Sequence, residues 1–219
     1  MKTCVIMQPT YLPWLGYFDL INTADVFVFL DHVQFSKQSW QQRNKIRDRK
    51  GEQLLVVPIK KGVLKEYFIK DVLIDNNKIP LIKHLKTINN NYAKAKNFGE
   101  IFTELEEIYS EKFDNLVDLN IQLILYGCKK MGIEKEMIRS SELELVGSKV
   151  DGLISICKSV GANRYHSPLG SKDYIEENNL FEENSIQLSY QEYNHPEYKQ
   201  ITYDNFIGHL AFIDYLFNR

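Results

Sequence analysis

The chain has 219 residues, 44% hydrophobic and 26% charged, an ordinary globular composition with enough length to bury a full core without staples. A formal charge of -2 and a pI near 6.2 argue against nucleic acid or an anionic membrane as main partner, which leaves small molecules or proteins. Cys4, Cys128 and Cys157 lack CxxC or metal spacing, no secretory pattern opens the chain, and no apolar run nears about 18 residues, so a cytoplasmic protein is expected.

The first predicted strand, Cys4 to Met7, runs into Gln8-Pro9-Thr10-Tyr11-Leu12-Pro13-Trp14-Leu15-Gly16-Tyr17-Phe18. Pro9 ends the strand, and an amide, a phenol and an indole follow before Gly16 lets a helix begin. This reads as the floor of a binding site, with a rigid packed loop as the plain alternative. Val26 to Leu30 is a second buried strand ending in Asp31, and parallel strands of this kind bring their carboxyl ends to one crevice, with Gln8 beside Asp31.

Gln34 to Gly51 is polar and reads as a short helix or a lid-like loop. Leu54 to Val57 is a third strand stopped by Pro58, Lys60-Lys61-Gly62 marks a turn, and Ile69 to Ile74 is a weaker strand. Helices follow at Ile79 to Ala93, with Pro80 in the first turn and Ile82, Leu85, Ile88 and Tyr92 on one face, then at Phe98 to Tyr109 and Asn115 to Met131, which Gly132 closes. Beyond them come a helix at Asp151 to Val160 closed by Gly161, strands at Arg164 to His166 and Ser185 to Tyr190, and a helix at Phe206 to Phe217. The expected fold is α/β: a Rossmann-like, mainly parallel sheet in one domain over 1–219, with 77–132 a mainly helical insertion or subdomain.

Three groups carry candidate chemistry. Asp31 accepts a proton from a hydroxyl or amine nucleophile that Gln8 orients, unless it only caps a turn; His32 is a second base, although neighbours on an extended segment point apart. Trp40, Arg43 and Asn44 offer a stacking face and a planar fork for phosphate or carboxylate, or else a solvated helix with a buried indole. His195-Pro196-Glu197-Tyr198 presents an imidazole from a loop. His84 reads as a solvated or half-buried helix position and Cys157 as core. GxGxxG, P-loop, GxSxG and HExxH patterns are lacking and the five histidines form no metal pair, so no metal or redox cofactor is indicated.

In order and spacing, the block from Gln8 to Phe18, then Ala24-Asp25, Asp31, Trp40 with Arg43-Asn44, Pro58, Gly161-Ala162 and His195-Pro196-Glu197-Tyr198 resemble the WbqC-like protein family. The resemblance implies a role in bacterial O-antigen or other surface-polysaccharide synthesis, with an acyl or amino-acid group added to an amino sugar. Its matching positions here are Gln8, Tyr11, Trp14, Asp31, Trp40, Arg43, Asn44, His195 and Tyr198. The opening also resembles HIGH-type nucleotidylyl transferases, but Pro13-Trp14-Leu15-Gly16 and Tyr17 stand where those enzymes carry histidines.

The leading expectation is a transferase joining an acyl or aminoacyl donor to a nucleotide-linked amino sugar. Tyr11 and Trp14 face the sugar or base, Arg43 the diphosphate, and Asp31 or His195 takes the amine proton in one shared site. The alternatives are a non-catalytic sugar-nucleotide or partner-binding protein and a nucleotidyl transferase.

Overall fold

The computed structural model describes residues 1–60, 67–77, 81–176, 179–201 and 205–219. In chain order these form β1 (Thr3–Met7), α1 (Leu15–Thr23), β2 (Val26–Phe29), β3 (Arg43–Asp48), β4 (Gly51–Val56), α2 (Ile82–Tyr92), α3 (Phe98–Ser110), α4 (Leu116–Met131), β5 (Glu136–Arg139), α5 (Lys149–Ser159), β6 (Arg164–Ser167), α6 (Lys172–Glu176), α7 (Leu180–Glu183), β7 (Gln187–Tyr190) and α8 (Phe212–Asn218). They gather into two compact units. The first takes Met1–Gln8, Gly16–His32 and Gly132–Asn194, and the second takes Pro9–Leu15, Val33–Met131 and His195–Arg219.

The first unit is built on a five-stranded sheet in the order β5-β2-β1-β6-β7, with every neighbouring pair parallel. Residues alternate faces along a strand, so Cys4, Ile6, Val26 and Val28 meet Leu153, Ile156 and Cys157 of α5 and Phe181 of α7 on one side. On the other, Phe27 packs edge-on against Tyr17 of α1, with ring centroids 5.7 Å apart. Covering both faces explains why β1 and β2 are continuous apolar runs. The chain leaves β1 toward β2 on one side and reaches β6 on the other, so the topological switch lies between β1 and β6, the place where sheets of this class bind ligands. Gln8 is the first residue beyond β1 at that switch.

The second unit holds the antiparallel β3–β4 hairpin, in register from Arg43↔Val56 to Asp48↔Gly51, together with α2, α3, α4 and α8. Its aromatic core stacks Tyr92 on Phe217 at 4.7 Å and Phe98 on Phe217 at 5.9 Å. At the centre is Asp214, 0% exposed, which accepts from Tyr92 Oη and Tyr198 Oη at 2.7 Å each and from Gln200 Nε2 at 2.8 Å. Burial raises the Asp214 carboxyl despite these donors.

Several expectations need correction. Gln34 to Gly51 contains strand β3 rather than a helix or lid, because Asn44 and Ile46 are buried while Arg43 and Lys45 face outward, a period of two. Ile69 to Ile74 holds a 3₁₀ turn at Ile69–Asp71 and isolated bridges instead of a strand. The last helix begins at Phe212 and not Phe206, since Ala211 bridges to Trp14 and donates its N–H to Lys45 O. On α2 the buried face carries His84, Leu85, Ile88 and Tyr92, leaving Ile82 57% exposed. The expected turn at Lys61-Gly62 and the expected helix start at Ile79-Pro80 lie outside the described residues. Among the described residues no helix is long and apolar enough to cross a membrane.

Candidate functional site

The carboxyl edge of the first unit's sheet gathers polar groups from strands far apart in sequence. Asp31, just past β2, is 0% exposed and accepts four hydrogen bonds at the exit of β5. Arg139 Nε and Ser141 Oγ donate to Oδ2 at 2.8 Å each, while the Ser141 N–H at 2.8 Å and Ser140 Oγ at 3.0 Å donate to Oδ1. Burial disfavours the charged form, but Arg139, then Ser141 and Ser140, outweigh it and hold the carboxyl below its usual range. Both oxygens of Asp31 are thus engaged in tying β2 to β5.

The Ser140 hydroxyl sets the state of the next residue. It accepts from the Asp31 N–H at 3.0 Å, and when its one proton is directed to Asp31 Oδ1, the His32 Nδ1 lying 2.6 Å away is the donor in their contact. Neutral His32 then carries its lone pair on Nε2. Adjacent side chains on a strand do point apart, but both residues lie past the last residue of β2, Phe29, where that rule no longer applies. The rest of the edge is also polar. His166 Nδ1 lies 2.9 Å from Ser189 Oγ, and Gln191 Nε2 donates to Asp19 Oδ2 at 2.7 Å and to Gly16 O at 2.8 Å.

The loop that follows Gln8 belongs to the second unit and is clamped by amides. Asn44 Nδ2 donates to Leu12 O at 2.6 Å and Tyr11 O at 3.3 Å, holding Leu12 at φ +45°, which an L-residue seldom adopts. Asn120 Nδ2 donates to Gln41 O at 2.7 Å and Pro9 O at 3.2 Å. Tyr11, expected to face a substrate, is 0% exposed. His84 Nε2 donates to Val56 O at 3.1 Å, so Nδ1 accepts from Tyr11 Oη at 2.7 Å and Tyr11 in turn accepts from Tyr109. Burial lowers the His84 imidazole to about 4 and keeps it neutral. His84 is therefore a 5% exposed core residue, more deeply buried than the solvated or half-buried helix position expected.

Trp14 and His195 do meet, in a ring stack that also contains His209. The Trp14 ring lies 6.2 Å from His195 and 4.9 Å from His209, and the two imidazoles stack at 4.7 Å. The His209 N–H donates to His195 Nε2 at 3.3 Å. Gly208 permits this closeness, because a Cβ there would come within 3.2 Å of His195 Cδ2. Burial, then His209, lowers the His195 imidazole. Tyr198 donates to buried Asp214, and Asn44 serves the loop, so each has a visible structural task.

Trp40 and Arg43 stand differently. Trp40 is 51% exposed, and the Arg43 guanidinium carbon is 6.0 Å from its ring centroid. Asp31 belongs to the first unit and His195 to the second. Sequence reasoning missed Arg139, Ser140, Ser141, His209 and Asn120. Arg139 ends, and the two serines follow, a strand of only four residues with a charge at each end, which gives almost no periodic signal.

An all-parallel sheet in this order, with polar side chains gathered at its carboxyl edge, defines an α/β protein of Rossmann-like architecture. The chain belongs to the WbqC-like protein family, whose model matches residues 8–219. It is similar to a Mycobacterium tuberculosis protein named "Uncharacterized protein Rv1507c", with 33% identity over 220 residues covering 100% of this chain and 94% of that one. No solved structure matches it.

Proposed function

We propose that this protein is a transferase of bacterial surface-polysaccharide synthesis, acting in the cytoplasm to join an acyl or aminoacyl group to the amine of a nucleotide-linked amino sugar. The observation that carries the reading is the polar carboxyl edge of the parallel sheet, with Asp31, His32, Arg139 and Ser140 at the ends of β2 and β5 and Gln8 at the β1/β6 switch, the edge at which α/β sheets hold their ligands. In this reading the sugar nitrogen attacks the activated carbonyl, the C–N bond forms as the bond to the leaving group breaks, and His32 Nε2 takes the amine proton. Asp31 acts through Ser140, fixing the imidazole with its proton on Nδ1, and Gln8 orients the amine.

The test is incubation with nucleotide-linked amino sugars and a panel of acyl and aminoacyl donors, read by mass spectrometry. The expected result is a sugar nucleotide heavier by one donor group. A second reading, a non-catalytic sugar-nucleotide binder, is favoured by the engagement of all of Asp31's acceptor capacity. It predicts ligand-induced stabilisation without any mass gain.

A further inference from the structure

We infer that Trp40, Gln42 and Arg43 form a binding site for a nucleotide, with the base stacked on Trp40 and a phosphate held by Arg43; the inference rests on the proposed reading only for the source of that nucleotide. Three features of consecutive chain support it. The first is the half-exposed indole, which carries the Arg43 guanidinium 6.0 Å from its ring centroid and still offers open ring surface on which a base can stack.

The second is the state of Arg43. Its neighbour on the same face of β3, Lys45, is paired to Glu52 at 2.5 Å, and Arg139 elsewhere is paired to Asp31. Arg43 has neither a carboxylate nor a hydrogen-bond acceptor among the described residues, although its Nε is buried from solvent. A buried guanidinium N–H without an acceptor is costly, and an anion supplied from outside removes that cost while using the planar fork.

The third is Gln42, 8% exposed, whose Oε1 is buried and has no donor among the described residues. Asn120, 0% exposed, clamps this same segment through Gln41 O and likewise leaves its Oδ1 without a donor. An acceptor lacking a donor and a cation lacking an anion among the described residues, with a half-exposed ring, all within residues 40–43, match the hydrogen-bonding edge, phosphate and face of a nucleotide. Arg43 pairs across the hairpin with Val56, so the guanidinium stands on regular structure rather than a loose loop.

A nucleotide reaches the protein either as the carrier of the sugar or as part of the donor, and both present the same chemistry here. Isothermal titration with uridine diphosphate and thymidine diphosphate in one arm, and with adenosine monophosphate and coenzyme A in the other, separates the two sources. The expected result is binding in one arm, weakened at least tenfold by Arg43→Ala and by Trp40→Ala, with Arg43→Lys intermediate and Trp40→Phe close to wild type. Unliganded melting temperatures should stay unchanged.

Binding that survives both alanine variants overturns the inference. So does inorganic pyrophosphate binding as tightly as the nucleotide with no effect of Trp40→Ala, because that describes an anion site without a base. Product formation without any nucleotide binding at residues 40–43 refutes this site and leaves the transferase reading standing. Nucleotide binding at these residues with no mass gain across the donor panel refutes the transferase reading alone.

Discussion

Asp31 and Arg43 are both charged residues beside a strand end, yet the carboxylate of one is fully engaged within its unit and the guanidinium of the other has no hydrogen bond among the described residues. Around Asp31, Arg139, Ser140 and Ser141 supply four donors to two oxygens and leave the carboxylate no capacity for a second task. Around Arg43, a buried Nε and the buried Gln42 Oε1 lack partners among the described residues, and Trp40 lies half open to solvent. The first pattern builds structure and positions neighbours; the second awaits a ligand. Both are charged and both stand at a strand end, so neither charge nor position alone tells the two apart, and the surrounding hydrogen bonds do.

The largest expected effect tests the closed side of that contrast. Asp31→Ala should lose about 3 to 5 kcal/mol of stability in chemical denaturation, because it strips a buried ion pair and leaves two hydroxyls and an N–H without their acceptor. Its folded value lies below the unfolded carboxyl value of about 4, so its contribution is present above that pH and fades as pH falls through the folded value. A variant as stable as the parent would break the contrast.

His84 tests a second closed network. Its folded value of about 4 lies below the unfolded 6.5, so the native state binds fewer protons between them and stability rises with pH across that window. Lowering pH from 6.5 to 4 should cost about 3 kcal/mol from this group. Asp214, with its carboxyl raised, works in the opposite direction, gaining stability as pH falls through its folded value. The comparison is therefore between parent and His84→Gln melts, and the variant should show a flatter slope over that window.

On the open side, Arg43→Ala should change folding stability by no more than about 0.5 kcal/mol while weakening ligand binding by about 1.5 to 3 kcal/mol. Unfolding typical of a core mutant, with normal binding once folded, would return Arg43 to structure. Smaller still is Gly208→Ala, expected to cost about 1 kcal/mol or less as His195 shifts a few tenths of an ångström. We also propose that 1–219 melts as one domain, since the chain passes repeatedly between the two units. Two separate calorimetric transitions would contradict that.

The strands of the sheet centre were legible because burial on both faces leaves an apolar run, as in Val26-Phe27-Val28-Phe29. Helices α3 and α4 were legible through their periodicity and, for α4, through Gly132 at φ +69°. Strand β5 was not, being four residues with Glu136 and Arg139 at its ends. Gln8 could be placed because Pro9 stops a strand beside it. The fate of Asp31 could not, because its partners Arg139 to Ser141 come 108 to 110 residues later. Tyr11 misled for a related reason: a phenol in a proline-bracketed loop looks available until Tyr109 and His84 are seen to enclose its hydroxyl.

The chain has two tryptophans, and their indole N–H resonances give the most direct measurement. Trp14 lies in the histidine stack and Trp40 beside Arg43, so two cross-peaks in a ¹⁵N correlation spectrum, assigned by Trp40→Phe, report on the two places separately. Titration with whichever nucleotide binds by calorimetry should move the Trp40 peak to saturation and leave the Trp14 peak in place. Movement of the Trp14 peak alone, or of neither, would contradict the account.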